Sequence, residues 1–168
     1  MRIALDTNCL LDAADEASPS YAYVQRILTS AAGTDHELFV SRHSLSELKK
    51  ASPQTERAKH IARGCQILPH YPIGTWDDQV ATWDEVSGSW DDARRNQGIQ
   101  RELEALAKAG SGIRDRGAYI DSLLGGVDVF VTSDRQLAAA GPAARIRERF
   151  GLRVLTPEDV VSELCSEG

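Results

Sequence analysis

The stretch that most constrains the fold lies at the beginning of the chain and reads Ile3-Ala4-Leu5-Asp6-Thr7-Asn8-Cys9-Leu10-Leu11-Asp12. Residues 2–5 are a short run of mostly apolar residues that ends at an acid, a pattern typical of a buried strand. A carboxylate directly after such a strand is unfavourable to bury without a partner. The position of Asp6 therefore predicts a functional group, or an Asx-turn with Thr7 and Asn8 as the structural alternative.

Strand-like and helix-like segments alternate along the rest of the chain. Short apolar runs predict further strands at residues 38–40, 67–68, 127–131 and 152–155. Helices are expected between them, with starts at Ser18-Pro19, Ser52-Pro53 and Thr156-Pro157 and an end at Gly33. This alternation is typical of an α/β fold with a mostly parallel sheet, which we therefore expect. No linker divides the sequence, so we expect one domain over residues 1–168.

The charge of the chain is unevenly distributed. The net charge is −6 at pH 7 over 168 residues, with 42% hydrophobic and 26% charged residues, which is ordinary for a globular domain. Residues 42–63 carry six basic residues and two acids, whereas residues 77–92 carry six acids and no base. The negative total argues against a strongly basic nucleic-acid binder, and the segregation predicts two surfaces with different partners.

No segment predicts a membrane or secreted protein. No apolar run approaches the roughly 20 residues that span a bilayer, and the apolar stretch near Met1 is too short for the core of a signal peptide. The three cysteines, Cys9, Cys65 and Cys165, are far apart and form no C-x-x-C pair. This pattern argues against a disulfide framework or a zinc site, so we expect a cytoplasmic location.

One internal repeat places Trp76, Trp83 and Trp90 seven residues apart, each followed by two acids. Seven residues are nearly two helical turns, so the three rings would form one stripe on a helix. The stripe is expected to pack on the domain's own core; the alternative is an exposed seam for a dimer or a partner helix. Stacking on RNA bases is disfavoured by the adjacent acids.

Four acids stand where predicted strands and helices meet: Asp6, Glu47, Asp115 and Asp134. The carboxyl ends of adjacent parallel strands converge on the crevice where ligands bind. Acids gathered there would repel one another without a cation, and oxygen ligands suit Mg²⁺ or Mn²⁺. Each acid also has a structural alternative, with Asp115 and Asp134 as helix N-caps and Glu47 in a capping box with Ser44.

The same acids lie in blocks of sequence that resemble the PIN domain family. Residues 3–12 resemble its opening motif, a strand running into Asp-Thr-Asn and an apolar pair. Residues 39–48 resemble the second block, a strand, a serine and a helix with Glu47. Residues 114–134 resemble the last two blocks, a helix that begins at the acid and a strand that ends in Thr-x-Asp. The blocks occur in the family's order over most of the chain. In the order of these blocks, the sequence resembles the VapC-type toxin ribonucleases of this family.

The resemblance implies a three-layer α/β/α fold around the parallel sheet, here with a helical insertion around residues 72–112. It implies a metal-dependent endoribonuclease with Mg²⁺ or Mn²⁺ held by Asp6, Glu47, Asp115 and Asp134. Asn8 and Thr132 are placed to orient these carboxylates; the alternative for Thr132 is a satisfied hydroxyl at a strand end. Basic residues beside the acids are candidates for holding the RNA backbone: Arg42, Lys49, Lys50, Arg114 and Arg116. Because many small members are toxins, an antitoxin partner and a homodimer are also implied.

Three alternatives stay open. Asp121 could replace Asp115 in the site, although the distance from Asp115 to Thr132 fits the PIN pattern better. A haloacid dehalogenase-like phosphatase also begins with a strand and an Asp, but it would need a second Asp where this chain has Asn8. A non-catalytic PIN-like scaffold that binds RNA or a protein partner is compatible with the same fold.

Overall fold

In the part of the chain that the structure describes, the central sheet has five strands, all of them parallel. The computed structural model describes residues 1–49, 52–71, 90–106 and 113–166. The strands are Arg2–Leu5 (β1), Glu37–Val40 (β2), Gln66–Ile67 (β3), Val129–Val131 (β4) and Arg153–Leu155 (β5). They are ordered β3-β2-β1-β4-β5, and each neighbouring pair is parallel. The prediction of an α/β fold with a mostly parallel sheet is confirmed.

Eight helices lie within these described ranges. They are Thr7–Ala13 (α1), Tyr21–Ala32 (α2), Arg42–Glu47 (α3), Pro53–Ala62 (α4), Trp90–Leu106 (α5), Ile113–Leu124 (α6), Ala140–Phe150 (α7) and Pro157–Ser166 (α8). None of the helices described is long and apolar enough to cross a membrane.

The helices cover both faces of the sheet. Successive side chains of a strand point to opposite faces, so each strand serves two cores. On one face, α1, α2, α4 and α8 pack against Ile3, Leu5, Val40, Val129 and Val131. On the other, α6 and α7 pack against Ala4, Phe39, Phe130 and Val154. A strand that is buried on both faces has a continuous apolar sequence instead of alternating apolar and polar residues, and the central strands of this sheet follow that pattern. The expected three-layer α/β/α architecture is confirmed.

Helix starts follow the local signals with one correction. Ser52 caps α4 through a reciprocal pair of hydrogen bonds with Thr55, and Pro53 is the first helical residue, as predicted. The helix expected to start at Ser18-Pro19 instead begins at Tyr21, after Ser20. The Ser18 hydroxyl accepts from the Ser20 backbone N–H over 3.2 Å, and the Ser18 carbonyl accepts from Tyr21 N–H over 3.1 Å. These bonds form a turn, which delays the helix by two residues.

The register of the strands determines which residues meet at the carboxyl edge of the sheet. Leu5, the last residue of β1, pairs with Val40 of β2 on one side and with Val131 of β4 on the other. The next residues along, Asp6 and Thr132, therefore lie side by side. Strand order reverses between β1 and β4, and ligands of open α/β sheets bind at such a switch point.

The expected helical insertion is described only in part. Helix α5 lies inside the predicted range of residues 72–112, and Arg149 of α7 pairs with Glu102 of α5 over 2.8 Å. Trp76 and Trp83 lie outside the described residues, as does the side chain of Trp90. Both interpretations of the tryptophan repeat therefore stay predictions.

Candidate functional site

Asp6 is a buried carboxylate at the junction of β1 and α1. It is the N-cap of α1, its Oδ1 accepts the Thr7 backbone N–H over 2.7 Å, and the residue is 6% exposed. Its Oδ2 accepts the Thr132 hydroxyl over 2.8 Å. A buried charge needs such hydrogen bonds to offset its desolvation. The same carboxylate therefore caps α1 and faces the end of β4.

Thr132 joins Asp6 to the segment that carries Asp134. Its fully buried hydroxyl donates to Asp6 and accepts the Asp134 backbone N–H over 3.1 Å. The half-buried Asp134 carboxylate accepts the Gln136 backbone N–H over 2.8 Å in a turn, whereas α7 begins only at Ala140. Asp134 therefore caps this single turn, in keeping with its structural alternative, and not the start of α7. Thr132 has the contact expected of a residue that orients a carboxylate.

Glu47 is joined to the same site through Thr7. It is the last residue of α3, half-buried, and it accepts a hydrogen bond from the Thr7 hydroxyl. The alternative capping box with Ser44 is wrong, because Ser41 is the N-cap and Ser44 lies inside α3. Thr7 was not among the predicted site residues. The sequence shows that Thr7 follows Asp6 at the start of a helix, but it does not show that the Thr7 hydroxyl contacts Glu47 on α3.

Two threonines thus connect three of the four predicted acids. Thr132 bonds to Asp6 and to the backbone of Asp134, and Thr7 bonds through its N–H to Asp6 and through its hydroxyl to Glu47. In the part of the chain that the structure describes, no basic side chain forms an ion pair with Glu47 or Asp134. The three side chains offer oxygen donors, the type that Mg²⁺ and Mn²⁺ prefer.

The remaining predicted site residues are described only partly. Asp115 lies within α6, at its third residue, but its side chain is outside the described residues, as are those of Arg114 and Arg116 and the whole of Lys50. Asn8 is exposed on α1, Arg42 is half-buried at the start of α3, and Lys49 is exposed after it. The supporting role of Asn8 and the RNA-binding roles of the basic residues stay predictions.

A second polar network lies beside the first and was not anticipated. Asp12 accepts hydrogen bonds from the hydroxyls of Ser18 and Ser133. Cys9 is fully buried against the same segment and donates to the Val131 carbonyl over 3.4 Å. Burial, followed by the nearby Asp6 carboxylate, raises the pKa of the Cys9 thiol. The network holds α1 against the end of β4, so it supports the position of Asp6.

Asp121, the alternative to Asp115, lies in a separate buried cluster. Its carboxylate is 1% exposed and faces the imidazoles of His43 and His70. Neither histidine was singled out from the sequence, where each is isolated and follows no metal-binding spacing. Only the packing of α3 and of the segment after β3 against α6 brings them together.

The comparisons with known proteins show the fold. No protein-family profile matches the sequence, and no curated protein matches it. The fold matches the crystal structure of VapBC2 from Rickettsia felis bound to a DNA fragment from their promoter, with a TM-score of 0.57 and 15% sequence identity. The match covers 93% of this chain and 98% of that chain. At this identity the likeness concerns architecture alone, and it extends over nearly the whole of both chains.

Proposed function

We propose that this chain is a metal-dependent endoribonuclease of the PIN type that hydrolyses phosphodiester bonds of RNA. The observation that carries the proposal is the buried Asp6 carboxylate at the switch point of a parallel sheet, linked through Thr132 and Thr7 to Asp134 and Glu47. The order of the sequence blocks and the fold likeness to VapBC2 support the same interpretation.

Asp6, Glu47, Asp115 and Asp134 would hold Mg²⁺ or Mn²⁺. The donors fit these ions because they are carboxylate oxygens, and Glu47 and Asp134 form no ion pair among the described residues. When bound, the metal would supply Lewis-acid activation of water and neutralise charge on the scissile phosphate. Because the chain is acidic overall, the loaded metal would also offset the repulsion between the site and the RNA backbone.

The protein's own groups would orient the carboxylates. The Thr132 hydroxyl is already used in two hydrogen bonds, so it restricts rotation of the Asp6 side chain relative to the backbone of Asp134. Thr7 restricts Glu47 in the same way. Such outer contacts to ligands commonly tune metal affinity and activity by about 10- to 100-fold. Arg42 and Lys49 beside Glu47 would contact the phosphate backbone, together with Lys50, Arg114 and Arg116.

The decisive experiment is an RNA cleavage assay with matched aspartate variants. Labelled single-stranded and structured RNAs are incubated with wild-type protein, Asp6→Asn or Asp35→Asn, in Mg²⁺, Mn²⁺ or EDTA. Asp35 is an exposed residue before β2, at the opposite edge of the sheet, so its variant controls for the loss of one charge. We expect metal-dependent cleavage by the wild type and Asp35→Asn, and none by Asp6→Asn.

Other outcomes separate the alternatives. RNA binding without cleavage, and without a metal-induced rise in melting temperature, would favour a non-catalytic scaffold. Metal binding that the wild type shows and Asp6→Asn loses, without cleavage, would instead mean that the site is correct and the tested RNAs are not substrates. Equal cleavage by Asp6→Asn and the wild type would contradict the proposed site.

We further propose that the protein is the toxin of a toxin–antitoxin pair and forms a homodimer. The structural neighbour is VapBC2 bound to a DNA fragment from their promoter. Co-expression with the product of a neighbouring gene, followed by size-exclusion chromatography, tests both statements. A stable complex that suppresses RNA cleavage is expected. A monomer that no neighbouring product binds or inhibits would refute this part of the proposal.

A further inference from the structure

Three buried polar side chains are left unused by the proposed nuclease site. His43 lies on α3, His70 follows β3, and Asp121 lies on α6, with exposures of 5%, 0% and 1%. One ligand atom from each of the three lies within 4.8 Å of the others. Charged or titratable groups buried this deeply are normally paired or coordinate metals. The cluster is distinct from the carboxylates of the nuclease site and needs its own explanation.

The two histidines face the same carboxylate oxygen. Asp121 Oδ2 lies 3.4 Å from Nδ1 of His70 and 3.9 Å from Nε2 of His43. Charge-assisted hydrogen bonds between nitrogen and oxygen are shorter, at about 2.7–2.9 Å. Ligands around a tetrahedral Zn²⁺ with bonds of about 2.0–2.1 Å are separated by about 3.3 Å. The His70 contact is a long hydrogen bond whose 3.4 Å also matches the edge of such a tetrahedron, whereas His43 Nε2 lies farther from the same oxygen.

The surroundings orient Asp121 toward the histidines. Its other oxygen, Oδ1, lies 3.3 Å from the Tyr71 backbone nitrogen, which donates to it. Oδ2 is therefore directed toward the two imidazoles. An outer hydrogen bond of this kind is typical of carboxylates that bind a metal. Because the donor is backbone next to His70, the same segment supplies one ligand and orients another.

Gly117 allows α3 and α6 to approach at this cluster. A Cβ built on Gly117 would lie 2.2 Å from Nε2 of His43, closer than any side chain tolerates. The His43 ring therefore packs directly on the backbone of α6, about one turn before Asp121 in the same helix. Only glycine permits His43 and Asp121 to face each other here.

We infer that His43, His70 and Asp121 form a buried binding site for a divalent transition metal, Zn²⁺, that ties α3 and the segment after β3 to α6. Two imidazole nitrogens and one carboxylate oxygen suit Zn²⁺, whereas Mg²⁺ prefers oxygen donors. Rotation of the two rings would close the remaining distance to a tetrahedral arrangement, with a water as fourth ligand. The donors are histidine and aspartate, so the cysteine spacing that argued against zinc does not apply.

The site is structural in character, because its ligands are nearly inaccessible to substrate. It links elements that are distant in the sequence, so the bound ion would stabilise the folded chain. One consequence rests on the proposed function. His43 and Glu47 share α3, and Asp121 and Asp115 share α6. A bound ion would therefore fix the two helices that carry half of the predicted nuclease acids.

Zinc content and affinity test the inference without any activity assay. Metal-free wild-type protein is titrated with Zn²⁺ alone, and with Mg²⁺ as a comparison, while bound metal and melting temperature are measured. We expect about one tightly bound Zn²⁺ per chain and a higher melting temperature with Zn²⁺ than with Mg²⁺. No stoichiometric binding, or no zinc-dependent shift in melting temperature, would overturn the inference.

Two matched pairs of variants locate the ion. Asp121→Asn should weaken Zn²⁺ binding by more than the roughly 100-fold that outer contacts contribute, whereas Asp6→Asn should leave it unchanged. Gly117→Ala keeps all three ligands but displaces His43, so it should also weaken binding. The control Gly98→Ala adds a methyl group on α5 where no atom lies within 4 Å, so it should not weaken Zn²⁺ binding. Binding lost in Asp6→Asn but retained in Asp121→Asn would place the ion at the nuclease acids and refute the site.

X-ray absorption at the zinc edge covers the case in which a variant fails to fold. In the wild-type protein we expect nitrogen and oxygen ligands at about 2.0–2.1 Å, with the outer scattering of two imidazoles. A spectrum with oxygen ligands alone would overturn the inference. None of these measurements uses RNA. The zinc inference can therefore be confirmed even if the protein proves to have no nuclease activity, and it can fail even if RNA is cleaved.

Discussion

The Thr132 hydroxyl donates to Oδ2 of Asp6 over 2.8 Å and so links the ends of two neighbouring strands at the centre of the sheet. We expect Thr132→Val, which keeps the shape of the side chain, to reduce RNA cleavage by about 10- to 100-fold. The reason is that Asp6 loses its orientation and the Asp134 N–H loses its acceptor. Cleavage rates at several Mn²⁺ concentrations measure the effect. Thr29→Val, which removes an exposed hydroxyl on α2, is the control, and equal losses in both would contradict the role of Thr132.

The contact between Thr7 and Glu47 predicts a difference between two substitutions at one position. Thr7→Ser keeps a hydroxyl that can donate to Glu47 and should retain most of the activity. Thr7→Val removes the donor and should lower cleavage by about tenfold or more, because Glu47 is no longer restrained. Cleavage rates and urea unfolding of both variants separate orientation from stability. If the valine variant were as active as the serine variant, the contact would be irrelevant to the site.

The core of the sheet predicts a large stability effect at Phe130. This residue is 1% exposed on β4, and its ring packs against that of Tyr119, tilted by 32°, with a centroid distance of 4.4 Å. Phe130→Ala should lower the free energy of unfolding by about 3–5 kcal/mol, since it removes buried area and leaves a cavity. Ile67→Ala on edge strand β3, where the side chain is 55% exposed, should cost less than about 1 kcal/mol. Equilibrium urea unfolding of both variants checks the contrast.

Two helix starts provide a matched test of capping. Ser52 caps α4 through bonds shared with Thr55, whereas Ser20, at the N-cap of α2, makes no side-chain capping bond. Ser52→Ala should therefore destabilise the protein by about 1 kcal/mol. Ser20→Ala should change stability by less than about 0.5 kcal/mol. Thermal or urea unfolding measures both changes. Similar losses of stability in the two variants would show that the capping bonds of Ser52 do not stabilise the protein.

The cysteines predict a pH dependence of alkylation. Burial raises the pKa of Cys65 to about 11 from an ordinary value of 9.0 and raises that of the fully buried Cys9 further. A raised thiol pKa means less thiolate at a given pH, about 100-fold less for Cys65 at pH 8. Iodoacetamide should thus modify Cys65 slowly, faster as the pH approaches 11, and Cys9 only after unfolding. Mass spectrometry of peptides from native and urea-unfolded protein reads out each site; rapid native labelling of Cys9 would contradict its burial.

Much of the fold was predictable because its signals are local. The run that ends at Asp6, the Ser52-Pro53 start and the apolar strand at residues 129–131 are patterns of adjacent residues, and strands and helices formed close to the expected places. The start of α2 was predicted two residues early, because the Ser18 hydroxyl forms a turn that competes with the helix. The alternation of strands and helices was sufficient to predict a parallel sheet.

The sequence by itself thus determined the elements, the α/β class with its parallel sheet and the candidate acids, since apolar periodicity and residue type are properties of neighbours along the chain. Only the tertiary structure decided which side chains contact one another. Thr7 meets Glu47 across 40 residues, and His70 meets Asp121 across 51. These pairings depend on strand register and on the close approach of α3 to α6 at Gly117. No local pattern encodes such distances, because they arise from the packing of elements that are remote in sequence.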